Sequence, residues 1–365
     1  MRSLNSSINP IRAKSAEGNN SAVTLGVFAT TLIVLFTMAY SSLFELASYT
    51  GWVAFIWMTA VPAQIIFGLH MHFANPKALA DLPQPKKGLA YTALTLVMML
   101  VGGAYLYLMP GGMTPPGPFL IMATIITVVA IFWLVGAWQC WPFTLMTRDP
   151  FKQGLLVFVA AYSLGYALYQ LCFDFSFMAG SPVYIETLDP KGAFGAWLTL
   201  AFSVTTVAVM MVMSLFEFWP CTKFSTAQPG LGIAVTLLDL TISAGLFWLA
   251  VFYIGMDPVD FMVRVPVSVI FGIFLVTNMM QFQLFSQLQQ PIRGVALLGT
   301  TLILAYCMQL LYRGAIPYVV RTPLHAGAPT YEVELWVATA LLGITFPVIN
   351  LVSGYFAFWP LKRGE

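Results

Sequence analysis

The sequence predicts an all-α, polytopic helical membrane protein with about ten transmembrane helices arranged as five hairpin repeats. Three observations carry this. Of 365 residues, 59% are hydrophobic and 8% charged, which leaves too little polar surface to meet water all round. Apolar runs of about 20 residues, long enough to cross roughly 30 Å of hydrocarbon as helix, recur ten times. The connections on one side of those runs share a short motif. Sixteen basic residues against fourteen acidic leave a net charge of +2 with no basic cluster, which argues against nucleic-acid binding.

The expected spans run approximately from Val23 to Ala47, Trp52 to Phe73, Gly88 to Met109, Pro118 to Trp141 and Gln153 to Phe175. The second half gives Gly192 to Trp219, Gly230 to Tyr253, Val263 to Phe285, Ile292 to Tyr312 and Leu335 to Trp359. Residues 1–22 form a polar tail, 23–361 the transmembrane domain and 362–365 a second tail. The first run is too long for a signal-peptide core and is expected to stay in the membrane. An even number of spans puts both termini on one side. That side carries Arg2, Arg12, Lys14, Lys77, Lys86, Lys87, Arg148, Lys152, Lys223, Arg293, Lys362 and Arg363, whereas the other carries Lys191, Arg264, Arg313 and Arg321. The excess predicts cytoplasmic termini, in a plasma or bacterial inner membrane. Cys140, Cys172, Cys221 and Cys307 lie far apart with no C-x-x-C pair, so neither a disulfide framework nor a zinc site is expected.

Three connections on the terminus side end in Gln-Pro-x-x-Gly, at Gln84-Pro85 with Gly88, Gln228-Pro229 with Gly232, and Gln290-Pro291 with Gly294. Asp149-Pro150 with Gly154 is a fourth version. Each opens an odd-numbered helix. Proline suits a first turn, where its missing N–H would lack a partner anyway, and the preceding Gln or Asp can accept from the other free amides. Even helices end on an aromatic residue followed by proline, at Trp141-Pro142, Trp219-Pro220 and Trp359-Pro360, with Phe73 and Phe285 in looser versions. Odd starts near 23, 88, 153, 230 and 292 therefore describe five similarly oriented hairpins. In layout this resembles the tellurite-resistance and plant slow-anion-channel family, whose hairpins surround a central pore. The resemblance implies a conduit and carries over no site residue.

Overlaying the hairpins brings His72, Gln139, Glu217 and Gln281 to one level, with Ala357 in the fifth, as candidates for an inner vestibule or gate. The alternative is a set of headgroup-depth groups bonded to water. Asp239 lies about nine residues into the seventh span, with Thr236 and Ser243 on the same helix face, and reads as an ion or proton contact or as a neutral packing acid. Mid-span Pro62 with Gln64, and Pro347 with Asn350 and Ser353, free backbone carbonyls of the kind that build binding sites or hinges. On the opposite side Gln170, Asp174 and Arg313 form a candidate entrance for an anionic solute. His70 and His72, two apart, are expected to face away from each other, which disfavours a paired-histidine metal or haem centre. There is no P-loop, and no cofactor or metal is implied.

The leading expectation is a transporter or channel for a small molecule or ion in a lipid bilayer, with Asp239 as the contact through which a proton or ion would couple. The alternatives are a noncatalytic membrane subunit, with a membrane-protein partner or homo-oligomer, and an enzyme acting on an apolar substrate.

Overall fold

The computed structural model describes residues 8–361, with side chains from Ala22 onward. The terminal charges Arg2, Lys362 and Arg363 lie outside the described residues. Ten helices are long and apolar enough to cross a membrane: α1 (Ala22–Ser41), α2 (Leu46–His70), α3 (Lys86–Leu108), α4 (Pro118–Ala137), α5 (Pro150–Cys172), α6 (Ala196–Leu215), α7 (Gly230–Tyr253), α8 (Pro258–Met279), α9 (Ile292–Val319) and α10 (Glu332–Tyr355). The chain is thus a multi-pass integral membrane protein. A two-residue parallel bridge, β1 (Phe173–Asp174) with β2 (Phe194–Gly195), closes the connection between α5 and α6.

Burial divides the helices by parity. In its most apolar stretch, each even helix has at least 67% of residues buried and each odd helix at most 33%. The even helices pack in the order α2, α4, α6, α8, α10 and back to α2, which makes a closed inner ring. The odd helices sit outside it, each in the groove between two even ones: α3 touches α2 and α10, α5 touches α4 and α2, α7 touches α6 and α4, α9 touches α8 and α6, and α1 touches α10 and α8. Their other faces present Leu96, Val97, Leu100, Leu237 and Ile303 outward, which matches lipid contact.

The side on which odd helices begin and even helices end, here the near face, shows how the motifs work. Gln84, Gln228 and Gln290 each use both ends of the amide. The Oε1 accepts from the amides of Gly88 (3.3 Å), Gly232 (3.0 Å) and Gly294 (3.1 Å), serving helix-start N–H groups. The Nε2 reaches across to carbonyls of Tyr355 (2.8 Å), Ala137 (3.1 Å) and Leu215 (3.0 Å) at the end of a neighbouring even helix. The prolines precede the first helical residue at Lys86, Gly230 and Ile292, whereas Pro150 lies inside its helix, with Asp149 accepting from Phe151 at 2.9 Å. The motif glycines allow close approach, since a methyl on Gly88, Gly154, Gly232 or Gly294 would run into Phe356, Met71, Trp138 or Phe216 respectively.

Gln290→Ala should therefore orphan one donor and one acceptor and lower stability by about 1 to 3 kcal/mol. Thermal unfolding in detergent checks this, and an unchanged midpoint would refute the staple.

Even helices stop three to six residues earlier than hydropathy suggests, at a pair of left-handed residues: His72-Phe73, Gln139-Cys140, Glu217-Phe218, Gln281-Phe282 and Ala357-Phe358, all with φ between 47° and 63°. Such φ values are costly for side-chain-bearing residues and turn the chain sharply. The second member donates its N–H back into the last turn, as from Phe73 to Phe67 O and from Phe358 to Val352 O. Residues 66–70, 133–137, 275–279 and 350–355, just before four of these turns, are π-helical. Starts shift too, because Asp257 caps α8 by accepting from Val259 and Asp260.

Candidate functional site

Three adjoining cavities follow the inner ring. One of about 330 Å³ lies among α2, α8 and α10, and is bordered by Gln64, Asn278, Gln281, Asn350, Ser353 and Ala357. A second of about 480 Å³ lies among α2, α4, α6 and α8, and is bordered by His70, His72, Gln139, Ser214, Thr277 and Asn278. Leu69, Phe274 and Asn278 belong to both, so the two are lobes of one near-face vestibule. A third, of about 50 Å³, is wholly apolar and takes Val61, Val128, Val204, Ile270 and Leu342, one from each even helix, into its wall.

Phenylalanines separate the vestibule from the apolar chamber. Phe274 borders all three cavities, Phe346 the first and third, and Phe132 the second and third. Phe274 and Phe346 stack at 4.0 Å between ring centroids, with planes 29° apart, and Phe132 stands 6.3 Å from Phe274. Rings from α4, α8 and α10 thus meet across the axis and leave an apolar constriction.

On the vestibule side of these rings, amides link three inner helices. Thr277 Oγ1 donates to the Ile273 carbonyl at 2.9 Å and lies 3.1 Å from Asn278 Oδ1, and Asn278 Nδ2 donates to Asn350 Oδ1 at 2.8 Å. Asn350 Nδ2 donates to Gln64 Oε1 at 3.2 Å, and Gln64 Nε2 to the Pro347 carbonyl at 3.2 Å. The amide oxygens of Asn350 and Gln64 already accept. An amide nitrogen carries two hydrogens, so Asn278, Asn350 and Gln64 each retain one N–H beyond the belt's own bonds. Among the described residues no lysine, arginine or carboxylate borders the three cavities, and the titratable groups there are His70 and His72.

Of the candidates on the inner level, His72, Gln139 and Gln281 border the vestibule, as does Asn350 higher up. Glu217 does not. Its side chain is 60% exposed and pairs with Arg293 at 3.5 Å, with Gln290 Nε2 also at 3.4 Å. His70 and His72 border the same lobe, contrary to the expectation that they face apart, because the π-helical turn and the left-handed His72 break the regular helical step. Among the described residues, no group of three or more His, Cys, Asp and Glu gathers to hold a metal ion.

Asp239, Thr236 and Ser243 border none of the three cavities. They lie on the outer helix α7, and Asp239 and Ser243 are completely buried. Ser243 Oγ donates to Asp239 Oδ1 at 2.9 Å, whereas Asp239 Oδ2 and Thr236 Oγ1 have no protein partner. Among the described residues the carboxyl thus bonds only within α7, and meets neither a cavity nor a hydrogen-bonding group of the neighbouring helix. Asp239→Asn preserves the acceptor for Ser243, so the variant is expected to keep the parent's thermal midpoint in detergent. A clearly lowered midpoint would show that the carboxyl itself, and not only its bond to Ser243, holds this part of α7 in place.

The far-face set is scattered. Gln170 is exposed on α5. Asp174 accepts from the Ser176 hydroxyl at 2.5 Å and its amide at 2.9 Å, bonds that hold its carboxyl below the usual range. Arg313 lies inside α9, between Asp260 at 3.2 Å and Glu334 at 3.3 Å, which satisfies its charge within the protein. None of the three borders the cavities.

Sequence reasoning passed over Phe132, Phe274 and Phe346, which look like ordinary core, and Asn278 and Thr277, which have no conspicuous spacing. The signal for Asn278 lies three residues before Gln281, a position filled by Ser214 before Glu217. Comparison with protein-family models, curated proteins and solved structures returns no match for this chain.

Proposed function

We propose that this chain is a channel or transporter that carries a small solute along the axis of the inner ring, and that its ten spans are five hairpin repeats. The observation that carries this reading is the set of axial cavities, bordered almost wholly by even helices and their near-face ends, with a polar vestibule ending at stacked phenylalanines. The repeats are supported by the left-handed pair ending all five even helices and by the Gln staples in three junctions. The basic excess on the near face supports a vestibule that opens to the cytoplasm.

The solute is a small hydrogen-bond acceptor, neutral or anionic. Amide N–H groups left over from the belt, with no carboxylate among the described wall residues, favour such a solute over a cation. An apolar ring closure at the end of a wet chamber blocks passage by excluding water, and yields when the rings turn aside. Asp239 stands outside this path.

Reconstitution into liposomes, with uptake measured for a panel of small anions, cations and neutral solutes, tests the reading. Protein-dependent flux favouring anions or neutral acceptors is expected. Equal cation flux, or no flux for any member even with Phe274 replaced by alanine, would overturn it.

A further inference from the structure

On the far side, the connection between α9 and α10, residues 320–331, is fastened to the starts of three inner helices, α6, α8 and α10. Tyr331, with φ of 51°, rests its ring on Trp197 of α6 at 5.6 Å between centroids. Its hydroxyl donates at 2.8 Å to Asp257, the residue that caps α8. Burial, followed by that bond to Asp257, pushes the Tyr331 hydroxyl up to about 12, so it keeps its proton at neutral pH. His325 donates its backbone amide to Glu332 at 2.8 Å, and Gly327 donates its own to Glu334 Oε2 at 3.0 Å, both on the first turn of α10.

Glu334 is the central fastener. It is 1% exposed, and its second oxygen accepts from Arg313 Nη2 at 3.3 Å. The same nitrogen reaches Asp260 on α8 at 3.2 Å. One buried carboxylate therefore ties the covering segment to α10, and through Arg313 ties α10 to α8 and α9. Removing a partner from a buried charge is expensive, which gives this one residue leverage over the whole closure.

We infer that segment 320–331 is a releasable strap closing the far mouth of the axial path, and that the Glu334–Arg313–Asp260 cluster sets how readily it lets go. The inference rests on the conduit reading. It supplies the second closure such a path requires, because a vestibule open on the near face and a strap on the far face are the two ends of one route. Arg313 and Glu334 act here as positioning residues and do not touch the solute.

The test is cysteine accessibility, which does not depend on transport. In a background with Cys140, Cys172, Cys221 and Cys307 replaced by serine or alanine, Val204→Cys places a thiol in the apolar chamber wall. A membrane-impermeant methanethiosulfonate is applied from the far face. The parent thiol is expected to be protected. Glu334→Gln, which keeps size and one acceptor but loses the charge, should speed labelling about tenfold or more. Tyr331→Phe, which removes only the bond to Asp257, should give a smaller rise in the same direction, and Arg313→Lys should stay near the parent. Monodisperse elution of each variant establishes that it is folded. A parent thiol that already labels rapidly, or one equally protected in Glu334→Gln and Tyr331→Phe, overturns the strap. Flux through Phe274→Ala is measured in parallel. Accelerated labelling without any flux would leave the strap standing and refute the conduit, while flux without accelerated labelling would do the reverse.

Discussion

Replacing Phe274 by alanine is expected to raise solute flux in proteoliposomes about tenfold, the factor that corresponds to losing roughly 1.4 kcal/mol of ring stacking at the constriction. Phe274 is the ring shared by all three cavities, and it holds Phe346 at 4.0 Å while Phe132 stands further off. Its removal opens a continuous space from the vestibule into the apolar chamber. Phe346→Ala should act in the same direction. Phe132→Ala should do less, because its 6.3 Å, tilted contact leaves the stacked pair in place. The double variant Phe274→Ala with Phe346→Ala should exceed either single one by less than the product of their effects, since both remove the same stack. A cavity in a packed core also lowers stability, so flux is normalised to folded protein. Unchanged flux in well-folded Phe274→Ala would mean that the rings are core packing and that the path runs elsewhere.

Asn350→Asp is expected to lower anion flux about ten- to a hundredfold while leaving the protein folded. The new side chain still accepts from Asn278 but no longer donates to Gln64, so a bond worth about 1 to 3 kcal/mol when its partner is left buried is lost. A negative charge also enters a wall with no other carboxylate among its described residues, which repels anions and favours cations. Asn350→Leu separates the two effects, because it breaks the belt without adding charge and should reduce flux with little change in the ratio of anion to cation. Ratios measured on the same liposome panel decide the matter. If Asn350→Asp keeps the parent's preference for anions, the amide belt does not select the solute.

The ten spans were legible because crossing a membrane demands only length and hydropathy, which a single sequence displays directly. Ends were harder to read. Hydropathy carries α8 on through Phe285, but the left-handed pair Gln281-Phe282 stops it at Met279, and the Asp257-Pro258 cap starts it five residues before Val263. Overlaying the hairpins found His72, Gln139 and Gln281 because these share one backbone role, the first residue of the left-handed turn. Glu217 has that role too, yet its long charged side chain turns out to meet Arg293. Asp239 drew attention by rarity, which is blind to the parity of its helix. Only packing shows that odd helices stand outside the ring, so that a polar residue buried on α7 need not face the axis. Phenylalanine at a constriction and phenylalanine in a core have the same composition, and nothing short of coordinates separates Phe274 from Phe271.

The seat of α1 has a consequence for biosynthesis. Helix α1, made before α8 and α10, rests between them. Gly26 lies against the Met279 carbonyl at the end of α8, and Thr37 donates to Thr345 of α10 at 3.0 Å, a direction set because Thr345 spends its own proton on the Ala340 carbonyl. Likewise α3 needs α10 to complete its groove. Helix α1 must therefore wait in the bilayer, unmoored on that flank, until the ribosome has delivered α8 and α10. A chain cut short after α8 would hold most of its inner wall but no clasp, and membrane quality control would meet a ring that cannot shut.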